Sequence, residues 1–220
     1  MKLEFADLGC SPYQAVFRRQ KLLVARRKQG LIEDQLLLLE HPPTITFGRR
    51  ESEQDLLISK KALQEKGIEI VKTDRGGKIT YHGPGQLVAY FIFHLRGMSI
   101  PDFVHKVEQI VINLLENYQI SGERDLKNPG VWVEENKIAA IGFHMDQQVS
   151  MHGVALNVNC ELRPFRYFHP CGITDKGTTS MEQELGWHPP MQEVKRAFLA
   201  ETMRIFQVEE LSEGESSLPE

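Results

Sequence analysis

Cysteine is scarce in this chain: Cys10, Cys160 and Cys171 are the only three. The number is odd and no two form a C-x-x-C pair, so neither a disulfide framework nor a cysteine-bound zinc site organises the fold. A reducing, cytoplasmic compartment is the simplest expectation. Long apolar runs are missing as well. The strongest extends from Leu87 to Phe93, far short of the roughly 20 residues that span a bilayer. The start, MKLEFADLGC, places Glu4 and Asp7 where a secretory signal needs an apolar core, so neither export nor a membrane is expected. Positive charge is not in excess either: the formal net charge is −4, which speaks against a dedicated nucleic-acid binder. The eight histidines show no H-x-x-x-H spacing, and no metal is expected.

What is present suits an ordinary globular protein. Hydrophobic residues make up 41% and charged residues 25% of 220 positions, enough for one sizeable core. SPYQAVFRRQKLLVARRKQG predicts a first helix, with Ser11 as its cap, Pro12 at its first position and Gly30 past its end. DQLLLLEH reads as a buried strand, TITFGRR as an alternating one and IEIVKT as another, with a short helix over Ser59–Lys66 between the last two. LVAYFIFHL is a further strand, and SIPDFVHKVEQIVINLLENYQI is the clearest amphipathic helix. GVWVEENKIAAIGFHM predicts a hairpin turning near Glu135-Asn136, followed by the strand VSMHGVALNVN and a last helix over Met191–Phe206. Strands come in hairpin runs with helices between them. The expected fold is therefore α+β, a single domain with a mixed or antiparallel sheet and flanking helices. It is expected over residues 1–210, with 211–220 as a polar, frayed tail.

Three features carry chemistry. The first is RGGKITYHGPGQ, a loop in which Gly76, Gly77, Gly83 and Gly85 interleave with Arg75, Thr80, Tyr81, His82 and Gln86. Glycine lets a ligand approach the main chain, and a plain turn has little need of so many hydrogen-bonding side chains, so the stretch reads as a binding wall as well as a hairpin loop. It is neither a P-loop nor a dinucleotide fingerprint. The second is Cys171 in HPCG, presented between Pro170 and Gly172 in an irregular stretch. A lone cysteine is commonly a small buried residue, and a nucleophilic one needs a nearby cation, because a free thiol with a pKa of about 8.5 is mostly protonated at neutral pH. Lys137, His82, His152 and His169 are the candidates. Lys137 opens the otherwise apolar KIAAIGF, although a lysine at a strand edge often only guards against pairing. The third is the basic first helix, with Arg18, Arg19, Lys21, Arg26, Arg27 and Lys28 and no acid between Gln14 and Gly30. It reads as a solvated face or as a dock for an acidic partner.

Taken in order, HPPTITFGRR, RGGKITYHGPGQLVAYFIFHL, PGVWVEENKIAAIGFHM, HGVALNVN and PCGITD with TTSM resemble the lipoyl/octanoyl-transferase family, the lipoate–protein ligase B type. The resemblance covers nearly the whole chain. It implies a domain like the catalytic domain of biotin and lipoate ligases. The implied reaction moves an octanoyl or lipoyl group from acyl carrier protein to a lysine of a lipoyl domain, in 2-oxoacid dehydrogenase complexes or the glycine cleavage H protein. It implies Cys171 as the nucleophile that becomes the acyl thioester and Lys137 as its activator and base. The implied acyl-binding wall is Arg75, Gly76, Gly77, Lys78, Ile79, Thr80, Tyr81 and His82, with Ala140, Ile141, Gly142, Gly153, Val154 and Ala155 opposite. No cofactor is implied beyond the octanoyl-phosphopantetheine of the donor, and a monomer is expected. Cys160 departs from the family pattern. The rivals are an ATP-dependent lipoate ligase of the same fold and a non-catalytic acyl-binding module.

Overall fold

The computed structural model describes residues 1–50, 55–125, 127–168 and 177–216. The run Leu36–Leu39 explains much of the architecture. Leu36 and Leu38 enter one apolar core while Leu37 and Leu39 enter another, because successive residues of a strand point to opposite faces. A strand buried on both faces has no polar alternation, which is why the sequence there is continuous leucine. The same split holds on the neighbouring strand, with Leu87, Ala89 and Phe91 on one side and Val88, Tyr90 and Ile92 on the other.

These two strands, β2 (Asp34–Glu40) and β6 (Gln86–Ile92), sit centrally in the main sheet with β1 (Lys2–Cys10), β10 (Val149–Asn157), β9 (Asn136–Asp146), β8 (Gly130–Val133), β7 (Glu123–Arg124) and β12 (Glu210–Glu213). The order is β12-β1-β2-β6-β10-β9-β8-β7. The short β11 (Gly177–Thr178) pairs with β9. Pairing is parallel at β12-β1, β1-β2 and β11-β9 and antiparallel elsewhere in this sheet. Helices α3 (Ile100–Asn117) and α5 (Met191–Phe206) cover one face. Phe91, Phe103, Phe198 and Phe206 meet there with ring centroids 5.7–6.3 Å apart. Helix α1 (Tyr13–Lys28) covers the other face. A small second sheet, β4 (Glu69–Lys72), β3 (Thr44–Phe47) and β5 (Ile79–His82), forms a third core with the 3-10 turn Arg163–Tyr167. Short helices α2 (Lys60–Glu65) and α4 (Met181–Leu185) complete the elements among the described residues. The expected single α+β domain with a mixed sheet is what is found.

Several local expectations differ from the structure. Ser11 does not cap α1: its hydroxyl donates to Leu8 O at 2.7 Å, and Pro12 occupies the cap position. Ser59 and Ser99 do cap their helices, accepting from Ala62 N and Asp102 N. The loop read over Arg75–Gln86 contains a strand, β5, with tight turns on either side. The expected frayed tail begins instead with β12, paired to β1, and the Arg19 guanidinium donates to Glu215 O. The first strand, β1, carries no clear strand signal in its sequence. Its burial alternates imperfectly around Leu3, Ala6 and Leu8, among charged neighbours.

Candidate functional site

On the face of the main sheet that α1 covers, three strands present matched rows. Tyr90, Gly153 and Gly142 are register partners across β6, β10 and β9; Val88, Ala155 and Ala140 form the next row; Gln86 pairs with Asn157 in the third. Where a packed core would carry large aliphatic side chains, β9 and β10 carry glycine and alanine. The missing side-chain volume is a groove. The loop before β5 roofs it: Gly76 N–H donates to Phe143 O at 2.9 Å, and a Cβ on Gly142 would stand 3.0 Å from Gly76 O. Only a residue without a side chain lets the loop settle this closely.

The cavity has a volume of about 420 Å³, within the range of roughly 300–1,000 Å³ of small-ligand sites. It is lined by the whole wall named from the sequence except Tyr81: Arg75, Gly76, Gly77, Lys78, Ile79, Thr80 and His82, with Ala140, Ile141, Gly142, Gly153, Val154 and Ala155, and by Lys137. Tyr81 turns away because side chains alternate along β5. It packs edge-on against Phe165 at 5.6 Å in the third core. Floor and rim residues missed by the sequence reading include Tyr13, Val88, Tyr90, Asn128, Trp132, Asn157 and Thr178. A sequence clue existed for the floor, namely the every-second spacing Gln86, Val88, Tyr90 within a run that otherwise reads as buried strand.

Arg75 is a staple between loop and second sheet. Its guanidinium is buried and donates to Thr46 O at 2.7 Å, to Thr46 Oγ1 at 2.8 and 3.1 Å, and to Gly76 O at 3.0 Å. His82 Nδ1 bonds Gln86 Oε1 at 2.8 Å, which makes that nitrogen the donor. Gln86 in turn donates to Asn157 Oδ1 at 2.9 Å and to Tyr81 O at 3.1 Å. Burial drives the His82 pKa well below its ordinary value, with the neighbouring His41 adding to the effect. At the other end His152 Nε2 lies 2.7 Å from Asp74 Oδ1. Burial outweighs the attraction of that carboxylate and holds His152 below its ordinary pKa, so the imidazole is neutral and its Nε2–H donates.

Lys137 stands at the start of β9. Its ammonium donates to Pro129 O at 3.2 Å and lies 4.7 Å from the centroid of the Trp132 ring. Gly130 lets β8 lie close against β9, since a Cβ there would collide with Ala139 O, while Lys137 Cε would remain at ordinary contact distance. Thr178 is the register partner of Lys137. Thr179 N–H donates to Lys137 O at 3.1 Å while Thr179 O accepts from Asn157 Nδ2 at 2.9 Å. The lysine end of the cavity is thereby tied to the Gln86–Asn157 row. Cys171 and His169 lie outside the described residues. Of the other thiols, Cys10 is exposed and Cys160 is buried, with burial pushing the Cys160 thiol up to about 12. Such a thiol is an inert packing group.

The basic helix is partly used up inside the fold. Arg27 bridges the buried Asp34 at 2.7 Å, Lys28 pairs with Asp146 at 2.9 Å, and Arg19 is buried. Arg18, Lys21 and Arg26 remain exposed.

Comparison with known proteins adds to this geometry. Residues 12–203 match the family model for the lipoyl protein ligase A/B catalytic domain. An octanoyltransferase of Dictyoglomus thermophilum is 46% identical over 194 residues, 88% of this chain and 83% of that protein. An octanoyltransferase of Desulforamulus reducens is 43% identical over 212 residues, 95% and 93% of the two chains. Among solved structures, lipoate-protein ligase A bound with ATP superposes with a TM-score of 0.82 at 15% identity, covering 97% of this chain and 89% of the other. The biotin protein ligase of Aquifex aeolicus gives 0.53 at 13% identity, covering 94% and 69%. At such identities the structures speak for the fold alone.

Proposed function

We propose a two-step thioester route for this chain, which belongs to the lipoyl protein ligase A/B catalytic-domain family and is an acyltransferase moving an octanoyl group in protein lipoylation. The donor is octanoyl acyl carrier protein and the acceptor a lysine of a lipoyl domain. In the first step the Cys171 thiolate attacks the thioester carbonyl. The new carbon–sulfur bond forms as the bond to the phosphopantetheine sulfur breaks, and that sulfur leaves and takes up a proton. In the second step the acceptor amine attacks the Cys171 thioester. An amide forms, the amine gives up its proton, and the Cys171 sulfur is released. One thioester replaces another in the first step, so no ATP is consumed; the second step, thioester to amide, runs downhill.

The observation that carries this reading is the groove itself. An apolar slot walled by glycine, alanine and valine ends at an amine, Lys137. That pairing suits a fatty chain whose reactive end lies beside a cation. As an ammonium, Lys137 favours the thiolate form of Cys171; as a neutral amine it takes the proton of the attacking lysine. The acceptors are lipoyl domains, those of 2-oxoacid dehydrogenase complexes and the glycine cleavage H protein among them.

Mixing the protein with octanoyl acyl carrier protein and measuring its intact mass tests the route. A gain of one octanoyl group is expected, and Cys171→Ala should abolish both the adduct and transfer to a lipoyl domain. Full transfer by Cys171→Ala would refute the covalent step. The likeness to a ligase bound with ATP motivates the rival, an adenylating ligase, and a requirement for ATP would favour it.

A further inference from the structure

The rows of the groove give it a length. The Gln86–Asn157 row adjoins Lys137 through Thr179. Tyr90 stands four residues further along the same strand, about 13 Å away at the usual rise per residue. Both side chains line the cavity. An extended octanoyl chain spans roughly 9 Å over its seven C–C bonds. With its carbonyl at the lysine end, its terminal methyl stops about 4 Å short of the row of Tyr90, Gly153 and Gly142, at van der Waals contact with it. A chain two carbons longer would have to enter the space of the phenol ring.

That ring is not free to swing. His41 Nδ1 lies 2.6 Å from Ser11 O. A carbonyl can only accept, so Nδ1 carries the hydrogen and Nε2 is left as an acceptor. Tyr90 Oη is 2.8 Å from that Nε2 and therefore donates to it. The rings of Tyr13 and His41 lie 4.9 Å apart, and all three residues are at most 4% exposed. Rotating Tyr90 would leave His41 Nε2 as a buried, unpaired acceptor, which opposes the motion. The geometry points to Tyr90 as the specificity-determining stop of an acyl ruler, with His41 as a positioning residue that touches no ligand and acts by locking Tyr90. This rests on the acyl-transfer reading and adds to it what limits chain length.

The test is a series of acyl donors from hexanoyl to myristoyl, with the acyl-enzyme mass adduct followed in time. In the wild-type protein the rate should fall beyond octanoyl. In Tyr90→Leu the decanoyl-to-octanoyl ratio should rise by about tenfold, since each methylene newly buried is worth about fourfold. His41→Leu should move the ratio in the same direction, and His41→Gln should restore it, because its amide can donate to Ser11 O and accept from Tyr90. A role confined to stability would slow every chain length together and leave the ratio unchanged. An unchanged ratio in Tyr90→Leu overturns the ruler. If that variant fails to fold, Ala155→Val, which fills the row nearer Lys137, should shift the preference toward hexanoyl, and no shift overturns the ruler equally. Failure of every donor to label the wild-type protein would instead sink the acyl-transfer reading, and the ruler with it.

Discussion

The ammonium of Lys137 stands 4.7 Å from the centroid of the Trp132 ring, on a strand paired with the one that carries the tryptophan. The indole is itself held, donating through Nε1 to Asn128 O at 3.1 Å. The ring face favours the charged form of the amine, by about 0.5–2 kcal/mol for contacts of this kind. Trp132→Leu should therefore loosen the hold on this ammonium and slow acyl-enzyme formation several-fold. Rapid-quench measurement of both proteins at one pH checks this. An unchanged rate would mean that the indole only fills space.

A second prediction concerns acid. Burial depresses the His41 pKa to about 4, against an ordinary value of 6.5. The unfolded chain therefore binds a proton that the native state refuses between those two values. Stability contributed by neutral His41 is complete above about pH 6.5 and is lost as pH falls toward 4, by about 3 kcal/mol in all. Burial acts in the same direction on His82 and His152. Urea unfolding at pH 7 and pH 4.5 should show a steep loss. His41→Gln, which has no proton to refuse, should flatten it.

Much of this was legible in the residues, and the gaps have physical causes. The doubly buried β2 and β6, the amphipathic α3 and the β8-β9 hairpin announced themselves through run length and period. β1 did not, because Glu4 and Asp7 interrupt its apolar alternation. β5 was hidden inside a stretch read as loop, because Gly76, Gly77, Gly83 and Gly85 crowd its four residues. β12 is exposed along its length, so its pairing with β1 leaves no apolar trace. For the site, glycine and polar residues marked the wall, whereas the floor at Val88 and Tyr90 looked like ordinary strand. Ser11 shows how one local bond displaces another. It follows a strand whose Leu8 carbonyl, three residues back, takes the hydroxyl expected to cap the helix.

Two glycines of the floor separate binding from folding. A Cβ on Gly153 would collide with Ala89 O in the β6 backbone and approach the Phe91 ring at 3.2 Å. Gly153→Ala should therefore destabilise the fold by about 1–3 kcal/mol, as overpacking in a core does. A Cβ on Gly142 would stand 3.0 Å from Gly76 O in the roof of the groove, a tight contact and not a collision. Gly142→Ala should raise the KM for the octanoyl donor several-fold, with a smaller fall in Tm. Calorimetry and steady-state kinetics on both variants check the pair, and equal falls in Tm would erase the distinction.

The last prediction divides the basic helix. Arg27 is only 11% exposed in its side chain and bridges the fully buried Asp34, which also takes Arg96 Nη1 at 2.8 Å and His94 N–H at 2.9 Å. Arg27→Glu places two carboxylates together in the interior and should cost several kcal/mol of stability, because the buried Asp34 loses one of its two cationic partners and gains a like charge. Arg18 and Arg26 are exposed and make no such bridge among the described residues. Reversing both should leave Tm within a degree or so, as surface changes generally do. If the helix docks an acidic carrier protein, the same double variant should weaken its association several-fold at low salt, and the loss should shrink as added salt screens the charges. Titration of octanoyl acyl carrier protein at two ionic strengths decides the matter. An affinity that neither the reversal nor the salt alters would make the patch a solvated face.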